Sequence, residues 1–78
     1  MKQFFDFTEK SINEFVELRG RKLLLAEGYS RILVYTPTEI RIAKDKEGIA
    51  VYGENLALKH LSERHIAVEG RIDSVEFI

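Results

Sequence analysis

The sequence predicts an all-β fold in one domain: a small antiparallel meander, arranged as a roll, sandwich or barrel of about 7–8 short strands. Three observations predict it. From residue 15 onward apolar and polar residues alternate with a period of two, the mark of a strand with one face on a core. The apolar pairs recur about every eight or nine residues, a spacing of short strands. Turn chemistry separates the pairs, and the one proline, Pro37, lies in a break and never inside a pair.

Residues 1–14 form a mixed N-terminal segment and residues 15–78 the β domain. In the segment Phe4, Phe5, Phe7, Ile12 and Phe15 follow no regular spacing. Thr8 is placed to cap a short helix, because its oxygen can accept a free amide of the first turn. Glu9 sits well against the dipole of such a helix, and Phe7 with Ile12 could staple it. A partly docked, frayed segment is the alternative.

The strands follow in order. Val16 and Leu18 alternate with Glu17 and Arg19, and Leu23 and Leu25 come next. Ile32 and Val34 follow, then Ile40 and Ile42 alternating with Glu39 and Arg41. Ile49 and Val51, Leu56 and Leu58, and Ile66 and Val68 precede Val75 and Phe77. The breaks fall at 27–30, 36–38, 44–48, 53–55, 62–65 and 70–71. Leu56, Leu58 and Leu61 would also suit one face of a short helix, but strand followed by loop fits better. A short β-solenoid gives similar spacing and ranks second, since the units differ in length and repeat no signature.

Two segments are apolar on both sides, 23–25 and 32–35. If Leu23, Leu25, Ile32 and Val34 form the core, then Leu24, Leu33 and Tyr35 point away from it and need a cover. The N-terminal segment could supply that cover through Phe7, Ile12 and Phe15, or another copy of the chain or a partner could.

Composition narrows the function. The chain has 78 residues, 45% hydrophobic and 32% charged, which is the composition of a folded domain. A domain this small buries only about 60–65% of its unfolded surface and has a thin stability margin. It has no cysteine, so neither disulfides nor thiolate metal sites can help, and oligomerisation is the remaining device. Twelve basic residues face thirteen acidic ones, without the basic excess of a nucleic-acid binder. No apolar run is long enough to span a bilayer and no signal-peptide core opens the chain, which predicts an intracellular protein that does not insert in a membrane.

The residues that could carry chemistry do not converge on a pattern. His60 and His65 are five apart, off a common helical face, and read as exposed loop histidines. Ser62 and His65 are close in sequence but belong to no nucleophile motif. Gly20, Gly28, Gly48, Gly53 and Gly70 are dispersed and form no phosphate cradle. No catalytic, metal or cofactor residue is assigned, and a non-enzymatic protein is the expectation. The basic run Arg19-Gly20-Arg21-Lys22 reads first as a solvated surface paired with Glu17, Glu27 and Glu69. A small nucleic-acid-binding barrel using Arg19, Arg21, Lys22 and Tyr29 is the alternative function, and a small-ligand enzyme the third.

The order of the residues also resembles a family. Gly20-Arg21, Leu23-Leu24-Leu25-Ala26-Glu27-Gly28 and Ile32-Leu33-Val34-Tyr35 are similar to the front half of the YabP/YqfC family of sporulation proteins. Glu39-Ile40-Arg41-Ile42, Gly48-Ile49-Ala50-Val51-Tyr52-Gly53, Leu56-Ala57-Leu58, Leu61, residues 66–72 and Val75-Glu76-Phe77 are similar to its back half. The resemblance runs from about residue 13 to the end and is nearer the YqfC branch. It implies a non-enzymatic protein of the mother-cell cytoplasm, recruited to the forespore surface, that acts in spore coat or cortex assembly. It implies a sporulation membrane protein as partner, and the small size and two-sided apolar segments add the expectation of a homo-oligomer. The expected interaction surface combines Leu24, Leu33 and Tyr35 with Arg19 and Arg21.

Overall fold

A computed structural model describes the backbone of residues 2–3, 10–13, 16–62 and 64–78, with side chains for 16–62 and 64–78. Eight strands follow one another: β1 (Lys2–Gln3), β2 (Lys10–Asn13), β3 (Val16–Arg19), β4 (Leu23–Glu27), β5 (Arg31–Tyr35), β6 (Glu39–Lys44), β7 (Glu47–Leu61) and β8 (His65–Phe77). They form one sheet in the order β2-β3-β4-β8-β7-β6-β5, with β1 beside the far end of β8. All pairings are antiparallel, which overturns the solenoid alternative and bears out the all-β expectation. The sheet is open rather than a closed barrel, since its path ends at β2 and β5. Where a short helix was expected, Lys10–Asn13 is a strand paired with β3. The edge of β3 offers those residues a ladder of partners that an isolated single-turn helix lacks. Thr8 and Phe7 lie outside the described residues.

The two long strands set the shape. β7 has 15 residues, which straight would span roughly 50 Å. The molecule measures only 26 × 24 × 22 Å, so the β7–β8 hairpin must bend. Residues 47–52 of β7 pair with β6 and with the end of β8, and residues 54–61 pair with the start of β8. β4 and β3 extend the second half. The halves close on each other over a single core of Val16, Leu18, Leu24, Ile40, Ile42, Ile49, Val51, Leu56, Ile66, Val68, Ile72 and Val75, among others.

The bend is built from bulges. The register of β7 against β8 shifts between Tyr52 and Gly53 and again between Glu54 and Ala57. A Cβ on Gly53 would lie 1.8 Å from the Arg71 carbonyl oxygen, so only glycine allows the two backbones to meet there. Gly70 has φ +137°, with Asn55 O 2.5 Å from where its Cβ would be, and Asn55 itself adopts φ +54°, a conformation asparagine tolerates. Bulges release ladder amides that need acceptors. Two hairpin turns supply them. The β5–β6 turn accepts Gly53 N–H on Thr38 O at 3.1 Å and Leu56 N–H on Pro37 O at 2.8 Å. The β3–β4 turn accepts Gly70 N–H on Lys22 O at 3.1 Å and Ile72 N–H on Arg21 O at 2.7 Å.

Three expectations change accordingly. The breaks expected at 53–55 and 70–71 are bends within continuous strands, because the chain crosses from one half-sheet to the other without turning back. The break at 44–48 shortens to Asp45-Lys46, with Lys44 opposite Glu47. Leu56, Leu58 and Leu61 extend β7, where a strand followed by a loop was expected.

Leu24 is a further correction. It is fully buried, in register between Leu18 and Val68, while Leu23 and Leu25 are half-buried on the opposite face. The three-residue loop 20–22 sets Arg19 opposite Leu23. One step along, Leu24 then shares the face of Leu18, because opposed residues in an antiparallel pair lie on one side.

Gly53→Ala and Gly70→Ala are each expected to lower unfolding free energy by more than about 2 kcal/mol, since an added Cβ overlaps the facing backbone at both and Gly70 also holds a positive φ. Urea denaturation measures this, and a loss below 1 kcal/mol in both variants would remove the corner from its central role.

Candidate interaction surface

β5 is five residues long and, among the described residues, has a strand neighbour on one edge only. The β5–β6 turn holds its end in place: Thr36 Oγ1 accepts Glu39 N–H at 2.9 Å, and Thr36 N–H donates to Glu39 O at 2.8 Å. A bulge interrupts its pairing with β6, so that Ile32 faces Ile42 and Val34 faces Arg41, leaving Leu33 as the extra residue. The strand is apolar yet wet. Leu33 and Tyr35 are each 53% exposed and Ile32 is 37% exposed. The Tyr35 hydroxyl accepts Leu58 N–H at 3.1 Å, which ties the ring across to the second half of β7.

Beside β5 lies an open depression of about 270 Å³, lined by Leu33, Ala43, Gly48 and Ile78 with Arg31, Asp45, Lys46 and Glu47. Ile78 sits over Gly48, and the two exchange backbone hydrogen bonds at 3.1 and 2.9 Å. Arg31 donates to the Asp45 carbonyl at 2.6 Å.

The structure therefore brings Leu33 and Tyr35 together on an exposed strand. Leu24 is in the core. Arg19 and Arg21 belong to the β3–β4 hairpin, where Arg19 Nε lies 3.4 Å from Glu17 Oε2 and the Arg21 carbonyl serves the bend. Glu27, a second expected counter-charge for that run, instead meets His65 Nε2 at 3.3 Å. Ile32, expected in the core, lies on its rim. Ile78 was not foreseen, and nothing in its type or position signals its place over Gly48. The expected cover by Phe7, Ile12 and Phe15 concerns side chains outside the described residues, while the backbones of β1 and β2 run along β8 and β3.

Other candidate chemistry resolves into structure. Ser62 Oγ accepts the His65 amide at 3.2 Å, so this pair closes the β7–β8 turn. Among the described residues no group of three or more His, Cys, Asp or Glu could hold a metal ion, and no helix is long and apolar enough to cross a membrane. Tyr29, named above for the nucleic-acid-binding alternative, is fully buried, with Lys44 Nζ 5.7 Å from its ring centroid. A ring enclosed by the core has no face to offer a nucleobase. Burial, and after it the charge of Glu47, pushes the Tyr29 phenol above its ordinary value.

The model of the YabP family matches residues 10–78. The chain belongs to the YabP family. Membership makes it a sporulation-associated protein and bears out the YabP/YqfC resemblance, without distinguishing the YqfC branch. No curated protein matches the chain. In this YabP-family protein the matched region takes in the bent hairpin, both docked turns and β5.

Leu24→Ala is expected to cost about 2–5 kcal/mol of stability, as for a buried leucine, whereas Leu33→Ala should cost less than about 1 kcal/mol. Urea denaturation of the two variants checks the assignment of faces, and equal losses would contradict it. A second expectation concerns pH. Because the folded protein disfavours the Tyr29 phenolate, the stability this gives is complete below about pH 10, the unfolded value. It is lost as pH rises from there through the raised folded value. Tyr29→Phe should show a shallower loss of stability above that pH, and equal slopes for parent and variant would refute the linkage.

Proposed function

We propose that this protein is a non-enzymatic assembly protein of spore-envelope development, serving coat or cortex formation through self-association and the binding of a sporulation membrane protein. It works in the mother-cell cytoplasm, is recruited to the forespore surface by that partner, and does not itself insert in the membrane. The observation that carries this reading is β5: an apolar strand with, among the described residues, no neighbour on its outer edge, exposing Ile32, Leu33 and Tyr35. An edge of this kind accepts a strand from a neighbour through its main-chain groups, while the side chains supply selectivity. Natural edge strands are usually protected by lysine, proline, shortness or a bulge; β5 has neither lysine nor proline, and its five residues with one arginine and one bulge leave Ile32, Leu33 and Tyr35 exposed.

Family membership supports the sporulation setting of this reading. The open form of the depression beside β5 supports docking over turnover, since catalysis on a small ligand favours a cleft that surrounds it. Leu33 and Ile78, which line it, are exposed apolar side chains that a partner could cover.

A tagged full-length protein recovered from sporulating cells is expected to bring down a membrane protein, and Leu33→Glu is expected to lose at least tenfold of that capture, about 1.4 kcal/mol. Circular dichroism establishes that the variant is folded. Equal capture by the folded variant and the parent would show that β5 is not the docking strand.

A further inference from the structure

Resting on the reading of β5 as a docking strand, we propose that a second copy of this chain occupies it, β5 against β5, antiparallel about a two-fold axis that passes between Leu33 and Val34. The faces of the strand select this register. Ile32 and Tyr35 stand opposite the core residues Ile42 and Ile40 and so lie on the inner side of the sheet. Arg31 stands opposite Ala43, and Leu33 lines the same depression as both, which puts them on the outer side, as is Val34 opposite Arg41. The bulge has therefore broken strict alternation. Pairing centred on Leu33 would oppose outer Arg31 to inner Tyr35. Pairing centred between Leu33 and Val34 matches faces throughout: Ile32 meets Tyr35, Leu33 meets Val34, and Arg31 meets Thr36. The bulge of each copy then faces the bulge of the other, so neither strand has an excess residue.

Charge favours a second copy over a partner of one sign. The rim of the depression holds two basic residues, Arg31 and Lys46, and two acidic ones, Asp45 and Glu47. A strongly acidic or strongly basic partner would leave like charges opposed, whereas a copy of the same rim presents both signs to both signs. Antiparallel pairing also separates the two Arg31 side chains, the only charges in the strand. Ile32 against Tyr35 is a β-branched residue against an aromatic, a favoured cross-strand pair. On the outer side Leu33 and Ile78 of both copies form one apolar stripe across the axis, and the dimer covers the part of it nearest the axis.

The chain has no cysteine, which makes the register directly testable. Sedimentation equilibrium of the full chain is expected to show a reversible monomer–dimer equilibrium. Mixed Ile32→Cys and Tyr35→Cys chains, oxidised together, are expected to give the disulfide heterodimer in several-fold excess over either homodimer, because only opposed Cβ atoms come close enough to bridge. Leu33→Glu, folded by circular dichroism, should be monomeric. A parent that stays monomeric at every concentration, a dimer that survives Leu33→Glu, or an excess of either homodimer would overturn the proposal. If the parent is monomeric yet captures a membrane protein through β5, pairing of copies falls and the docking reading stands. If Leu33→Glu loses the dimer but keeps the capture, pairing of copies stands and docking of the membrane protein on β5 falls.

Discussion

The fold depends on the docking of two hairpin turns onto the bend of one long hairpin. At the corner of β7 and β8 the ladder is interrupted, and four amides, those of Gly53, Leu56, Gly70 and Ile72, turn outward to carbonyls of the β5–β6 and β3–β4 turns. A buried amide left without an acceptor costs about 1–3 kcal/mol, a large fraction of what a 78-residue domain has in reserve. The bend thus needs the turns. The turns need the bend in return, because it is what draws both hairpins over one core. Gly53 and Gly70 allow this by leaving room where one backbone crosses the other.

A sheet folded in this way buries its core without sealing its edges. Tyr29, Leu18 and Leu24 from one side meet Ile40, Ile42 and Ile49 from the other, all fully buried. No charged or polar residue is buried among the described ones. The charged residues form exposed or half-exposed ladders instead, such as Arg71 with Glu54 at 2.7 Å and Asp73 at 3.1 Å, and Arg41 with Glu39. Pairs this exposed contribute little to stability, so the apolar core and the corner hydrogen bonds carry it. The path of the sheet ends at β5, and that end is apolar. A small domain without disulfides gains stability when such an edge is covered, which links the physical margin of the fold to its proposed role in assembly.

Much of this was legible in the residues. The alternation at Val16 and Leu18, Ile40 and Ile42, and Ile49 and Val51 gave the strands and their inward faces, because those strands are apolar on one side only. Pro37 and the serine at 62 marked true turns. Where a strand is apolar on both sides the same logic failed: at 23–25 the inward residue was misjudged, since only the length of the 20–22 loop decides which of three leucines faces Leu18. Leu33 was placed outward correctly. Tyr35 is exposed but stands opposite Ile40 on the inner side, because the bulge at Leu33 breaks the alternation, and the exposure of Ile32 follows from its position at the end of the sheet rather than from its type. Tyr29 looked like a turn residue because its neighbours are Gly28 and Ser30, and nothing local reveals that this turn folds inward against Lys44.

What the sequence by itself determined is the period-two backbone, the absence of disulfide chemistry and the ordered motifs that mark the family. These are properties of neighbouring residues, and the pleat of a strand reports them directly. The tertiary structure decided which glycines bend a strand rather than end it, which leucine of a run enters the core, and which strands stand at the ends of the described sheet. Each of those rests on contacts between residues far apart in the chain, such as Gly53 with Arg71 or Lys22 with Gly70, and no local pattern encodes a distance between them.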